Sequence, residues 1–158
     1  FMSRPPSPRS SREIELKLDL DPDRVADFLA HPAAQAAWTR KRLEATYFDT
    51  PDEALHRAGL SLRLRREGRR WVQTLKAGPA ATAGLFARDE WESAVPGAAL
   101  DLSLLRGSPL AECLEGREAE LEPRFVVTVS RRSARLDREG ATIACALDQG
   151  EIRAGPRR

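Results

Sequence analysis

The stretch that decides the fold is Glu13-Ile14-Glu15-Leu16-Lys17-Leu18. Charged and apolar residues alternate strictly. In a β-strand, successive side chains point to opposite faces. Glu13, Glu15 and Lys17 therefore share one face, and Ile14, Leu16 and Leu18 share the other. Two carboxylates and an ammonium in a row are an unusual choice for a face that only meets water. The same format returns downstream with other charges. Arg63 and Arg65 share a face opposite Leu62 and Leu64, and Thr74 shares one with Lys76. Arg88, Glu90 and Glu92 have one parity. Phe125, Val127, Val129 and Arg131 have one parity, with Arg132 opposite.

Working outward, the first strand is predicted over 12–20. Asp21-Pro22-Asp23 opens a helix, with Pro in its first turn and acids near the positive end of its dipole. Val25, Phe28 and Leu29 have the helical spacing to cover a sheet face or barrel end. A second strand over 42–48 leads into the turn chemistry of Asp49-Thr50-Pro51-Asp52. A short helical segment follows, ended by Gly59. Residues 60–66 and 71–76 form a hairpin around Glu67-Gly68-Arg69. The stretch 78–84 is a small-residue loop and 85–95 a strand broken by Pro96-Gly97. An apolar stripe of Leu100, Leu104, Leu105, Cys113 and Leu114 predicts a helix over 99–114. Glu118, Glu120 and Glu122 mimic strand alternation but precede Pro123, and read as a solvated linker. Strands follow over 125–132, 135–137 and 142–148, and 150–158 tails off in Gly, Pro and Arg. Antiparallel strands with helices between them indicate an α+β protein built on a curled or closed sheet.

The bulk numbers bound the function. A chain of 158 residues suits one domain, here 12–158 behind a flexible lead-in of 1–11. Net charge is only +2, so no overall attraction to nucleic acid is expected and a basic site must come from local placement. No apolar run approaches the ~20 residues that span a bilayer. The first residues carry no secretory pattern. Cys113 and Cys145 stand far apart in sequence, outside any metal or redox motif, and read as reduced thiols. A cytoplasmic location is the expectation. Abundant Arg and Ala with few Lys suggest a GC-rich bacterial source.

In an ordinary sandwich the ionic sides would face water. The alternative is that they line the inside of a barrel, where interior positions alternate with exterior ones. Arg63, Arg65, Lys76 and Arg131 would then meet Glu13, Glu15, Glu90 and Glu92. Arginine forks bind phosphate oxygens through paired, charge-assisted hydrogen bonds, and Lys adds a compact charge. Carboxylates would repel phosphate unless they hold a divalent cation. Mg²⁺ bridges one or two carboxylates to substrate phosphates. Mn²⁺ suits the same oxygens. The set therefore reads as metal-assisted phosphate chemistry, which needs mainly positioning and charge stabilisation.

At these residues the chain resembles the CYTH, or triphosphate tunnel metalloenzyme, family. The motif E-x-E-x-K stands at Glu13, Glu15 and Lys17. It is followed in order by Tyr47-Phe48-Asp49-Thr50-Pro51, Gly59-Leu60-Ser61-Leu62-Arg63-Leu64-Arg65, Trp71-Val72-Gln73-Thr74-Leu75-Lys76 and Arg88-Asp89-Glu90-Trp91-Glu92. Arg131 and Ala146-Leu147-Asp148-Gln149-Gly150-Glu151-Ile152 complete the series. The last segment looks most like the bacterial inorganic triphosphatase branch. The resemblance implies an antiparallel β-barrel forming a tunnel, with flanking helices, and hydrolysis of inorganic triphosphate or a related triphosphate. Glu13 and Glu15 would bind Mg²⁺ or Mn²⁺. Arg63, Arg65, Lys76 and Arg131 would grip phosphates. Lys17, with Glu15, would serve catalysis by positioning the attacking water or steadying a phosphate. Glu90, Glu92 and Asp148 would line the tunnel.

Plainer readings stand beside these. Glu90 and Glu92 can simply pair with arginines, and Asp148 can serve a turn at Gln149-Gly150. Tyr47, Trp38 and Trp71 read as packing residues, and His31 and His56 lack partners for catalysis. Relatives usually continue into one more strand of alternating glutamates, which this sequence does not carry, and Ala144 stands where an acid is common. The barrel is thus expected to be open on one side, with an edge that a homodimer or an additional domain could complete. Two other functions stay open: a non-catalytic module that binds polyphosphate or a phosphorylated ligand, and a class IV-type adenylate cyclase.

Overall fold

The computed structural model describes residues 11–78 and 85–155, apart from the side chains of 11–14 and 85–87. Among these residues seven strands make one antiparallel sheet: β1 (Ser11–Leu16), β2 (Thr39–Asp49), β3 (Leu60–Glu67), β4 (Arg70–Ala77), β5 (Leu85–Val95), β6 (Glu122–Arg138) and β7 (Ala141–Ala154). Their order is β1-β5-β4-β3-β2-β6-β7. The lead-in lies outside the described residues except for Ser11, which begins β1, and the 78–84 loop does so except for Gly78.

Strand alternation decides which side of the sheet is core. Leu60, Leu62 and Leu64 of β3 are buried on one side, as is Leu75 of β4. Among the described residues three short α-helices, α1 (Val25–Ala30), α2 (Ala54–Arg57) and α3 (Pro109–Leu114), accompany the sheet. Leu55 of α2, Leu105, and Leu110 and Leu114 of α3 join Leu60, Leu62 and Leu75 in one apolar cluster. The helical segments thus cover the outer side of β3 and β4, and the ionic side is turned the other way. That ionic side is concave. Lys17, just beyond β1, and Tyr47 of β2 line one cavity. Four strand spacings of a flat sheet would hold them about 19 Å apart. The sheet is barrel-like but open, with β1 and β7 at its two edges.

Local chemistry fixes the connections. Asp49 closes β2 and caps α2. Its Oδ1 accepts from the backbone N–H of Thr50 (2.8 Å) and Leu55 (2.9 Å), and its Oδ2 from that of His56 (3.0 Å). Thr50, fully buried, accepts from the Ala54 N–H at 2.9 Å. Asp52 binds Arg57 and Arg117, and these two guanidinium groups, Arg117 first, hold its carboxyl well below the usual carboxylate range. The β6–β7 hairpin turns on Glu139 and Gly140, both at positive φ, as a two-residue turn matched to strand twist requires. At Gly150 a Cβ would overlap the Thr128 carbonyl oxygen, so β6 and β7 can approach this closely only with glycine there.

Several expectations need correction. Strand β1 stops at Leu16, so Lys17 lies just past it. The helix predicted over 99–114 is two pieces, a 3₁₀ turn over Leu102–Leu105 and α3. Gly107 at φ +86° and Pro109 break it, and Ser108 caps α3 by accepting from the Leu110 N–H. A proline nitrogen has no hydrogen for an interior helical bond. The strands predicted over 125–132 and 135–137 are one strand, β6, and the expected tail from Gly150 continues as strand to Ala154. Asp148 and Gln149 lie within β7, so no turn forms there. None of the residues of α1 is fully buried; Phe28 meets Trp38 edge to face at 6.2 Å.

Candidate functional site

The pairing register sets out the concave face. Ser61, Arg63 and Arg65 of β3 stand opposite Lys76, Thr74 and Val72 of β4. Lys76 and Thr74 stand in turn opposite Glu90 and Glu92 of β5. Glu13 of β1 faces Arg88, and Glu15 faces Phe86. On the other side Arg63 is opposite Tyr47 of β2, Tyr47 opposite Phe125 of β6, and Arg131 of β6 opposite Asp148 of β7. Every described member of the predicted set therefore lies along one connected surface. Glu13 takes its expected place on β1, and its side chain lies outside the described residues.

That surface is not uniformly ionic. On β2 the parity is reversed: exposed Arg40, Arg42 and Glu44 point outward, while Leu43 and Ala45 are buried on the concave side. The charges gather on β1, β5, β4 and β3, with Arg131 and Asp148 beyond an apolar floor.

A small cavity of about 60 Å³ marks the centre. Its lining is Lys17, Arg63, Lys76 and Arg88, with the hydroxyl-bearing Tyr47, Ser61 and Thr74. Among the described residues no carboxylate lines it. Acids stand at its margin instead. Glu15 lies 3.3 Å from Lys17 Nζ and 3.9 Å from Lys76 Nζ, and Glu90 lies 3.8 Å from Lys76 Nζ. Arg63 is half-buried, its Nε is shielded from solvent with no hydrogen-bond acceptor, and no described carboxylate stands within ion-pair distance of it. A buried, unsatisfied donor on a cation costs free energy unless something fills it.

The other two predicted phosphate-binding arginines are engaged. Arg65 pairs with Glu67 at 2.5 Å and with Glu92 at 3.6 Å. Arg131 donates to both Asp148 oxygens at 2.7 and 2.6 Å. Asp148 is the first cause that raises the Arg131 guanidinium above its ordinary value, with smaller help from Glu15 and Glu67. Those two carboxylates sit on β1 and β3, so the curl brings both edges of the ionic surface within electrostatic reach of Arg131.

Sequence reasoning passed over Ser61, Thr74 and Arg88 as site residues and took Tyr47 as packing alone. Tyr47 does stack on Phe125, with ring centroids 4.6 Å apart, but it also lines the cavity. For Ser61, Thr74 and Arg88 the signal was parity, since each shares its strand face with a residue already singled out; Tyr47 joins the site only through its pairing with Arg63. Trp71 packs as expected, under Arg66 at 5.8 Å. Glu118 and Glu120 form an exposed turn, and Glu122 opens β6.

The CYTH domain matches residues 11–156, and the chain belongs to the CYTH family. An inorganic triphosphatase of Haemophilus influenzae is 30% identical over 151 residues, covering 91% of this chain and 41% of that protein. The chain thus spans about two-fifths of the length of this curated relative. Two solved structures share the fold. One is a candidate adenylate cyclase from Bacillus halodurans, with TM-score 0.53, 17% identity and coverage of 89% of this chain and 76% of that one. The other is the PH1819 protein of Pyrococcus horikoshii, with TM-score 0.52, 17% identity and coverage of 95% and 80%.

Proposed function

We propose that the protein hydrolyses inorganic triphosphate, or a related triphosphate, within its curled sheet and with a divalent cation. The observation that carries this reading is the cavity: four cations and three hydroxyls converge, and among the described residues no carboxylate lines it. Such a set is built for a compact, highly charged anion. The family and its triphosphatase relative support the same substrate class.

Each residue then has a task. Arg63 donates its unfilled hydrogen bonds to phosphate oxygens as a planar fork, Arg88 offers a second guanidinium, and Lys76 adds a compact charge. Ser61 and Thr74 supply neutral donors. Arg65 and Arg131 take further phosphates once these displace their carboxylates. Lys17 steadies the terminal phosphate and positions the attacking water. Water adds to the terminal phosphorus, the bond to the bridging oxygen breaks, and orthophosphate and pyrophosphate leave.

The residues also fit a hard divalent ion. The oxygens of Glu15 and Glu90 converge on one ammonium, Lys76 Nζ. An all-oxygen pair of this kind suits Mg²⁺ or Mn²⁺, with Glu13 and Glu15 as the proposed ligands and Glu90 and Glu92 beside them. When bound, the ion supplies charge neutralisation on the phosphate oxygens. Two unpaired cysteines suit a reducing compartment such as the cytoplasm. The open edges β1 and β7 give a second copy or a further domain a place to complete the barrel.

The second reading is a binding module that holds the triphosphate without turnover. The test is phosphate release from inorganic triphosphate with Mg²⁺, with Mn²⁺ and with EDTA, set against ATP. Metal-dependent release that is faster than from ATP is expected. Calorimetric binding with no release would move the assignment to the binding module. Pyrophosphate without orthophosphate from ATP would point to a cyclase.

A further inference from the structure

Arg63 and Arg65 look interchangeable in the sequence, two residues apart on one strand face. Their surroundings differ. Arg63 opens onto the cavity with no described carboxylate beside it, whereas Arg65 is held by Glu67 at 2.5 Å. Arg65 is only 14% exposed and Glu67 27%, so solvent screens this contact weakly. Glu92, at 3.6 Å, is the looser partner, and it also accepts from Thr74 at 3.4 Å.

We propose that Glu67 is a tethered anion that occupies Arg65 and competes with the ligand's phosphate for it. The inference rests on the reading above that phosphates enter this face. Three observations support it. Glu67 stands on the same face of β3 as Arg65, so its carboxylate reaches the guanidinium from the concave side. The Nε of Arg65 is buried without an acceptor, so the fork keeps donor capacity that a carboxylate on one nitrogen does not use. Glu67 also contributes to the field around Arg131, so one carboxylate acts on two arginines assigned to phosphate.

The position allows Glu67 to leave. It is the last residue of β3, beside the hairpin turn at Gly68, and a rotation of its side chain toward solvent breaks no ladder bond. The consequence is a threshold. A ligand must present enough charge to displace a carboxylate already in place, which favours a triphosphate over orthophosphate. Glu67 is thereby a specificity-determining residue of the same site.

The test is calorimetric binding of tripolyphosphate in EDTA to the wild type, Glu67→Gln, Arg65→Ala and the double variant. Glu67→Gln is expected to tighten Kd roughly two- to fivefold, the range of an exposed to half-buried ion pair. In the Arg65→Ala background the same change is expected to give no gain. Glu67→Asp, which keeps the charge but withdraws it from Arg65, should give a smaller gain in the same direction. An unchanged or weaker Kd for Glu67→Gln overturns the inference. An equal gain without Arg65 overturns it as well, since Glu67 would then act as a general negative charge. Arg63→Ala tests the underlying reading separately: it should weaken binding roughly tenfold or more, and unaltered affinity there would remove the phosphate site itself.

Discussion

At Arg63, Arg65 and Arg131 one residue type serves a single predicted role in three different states. The alternation of the sequence places all three on the concave face, because strand parity is a property of the backbone. It does not say which carboxylate each one meets. That depends on the curl of the sheet and on cross-strand neighbours such as Asp148, which are distant in sequence. The same limit hid Ser61, Thr74 and Arg88, whose short or ordinary side chains gain meaning only when the cavity gathers them. Glu15 is the acid with the most definite expectation. It stands between Lys17 and Lys76 at the cavity margin. Glu15→Gln keeps its size and removes its charge. Metal-dependent phosphate release should fall roughly 100-fold or more while the melting temperature stays within a few degrees of wild type. Retained turnover would take Glu15 out of the metal site.

Among the elements, those bounded by turn chemistry were the most legible. The β3–β4 hairpin and β5 follow their predicted limits closely, since Gly68 and Pro96-Gly97 mark them. The segment over 99–114 was misread because an apolar stripe outweighed Gly107 and Pro109, the residues that interrupt it. The β6–β7 pair was predicted as shorter strands over 125–132, 135–137 and 142–148, because the residues between and beyond them mix small, polar and charged types whose strand state comes from pairing. The Asp49 cap is a sharper case. The sequence marked it as a turn, and the structure shows one carboxylate holding three backbone donors. Asp49→Ala would leave those donors unfilled under the apolar cluster that α2 joins. A loss of about 1–3 kcal/mol in urea denaturation is expected. Such a change should leave the cavity residues, on the opposite side of the sheet, in place.

For the molecule as a whole, the antiparallel α+β class followed from the number of alternating runs, and the curl from the need to bring ionic faces together. The open side was expected from the family resemblance alone, and the sheet is open between β1 and β7; no single strand carries that outcome, because whether two edges meet depends on the geometry of the whole sheet. The same global view gives the scarcest side chain in the protein a particular value. The chain has three lysines, Lys17, Lys41 and Lys76. Two of them line the cavity, and Lys41 stands on β2 opposite Arg131, outside the cavity but on the same concave face. Primary amines are therefore a natural footprint of the site. Mild acylation followed by mass spectrometry should show Lys17 and Lys76 shielded by tripolyphosphate, with Lys41 shielded as well only if a phosphate reaches Arg131 across from it. An arginine-rich chain has in effect reserved its few acylable groups for the place where a ligand can hide them.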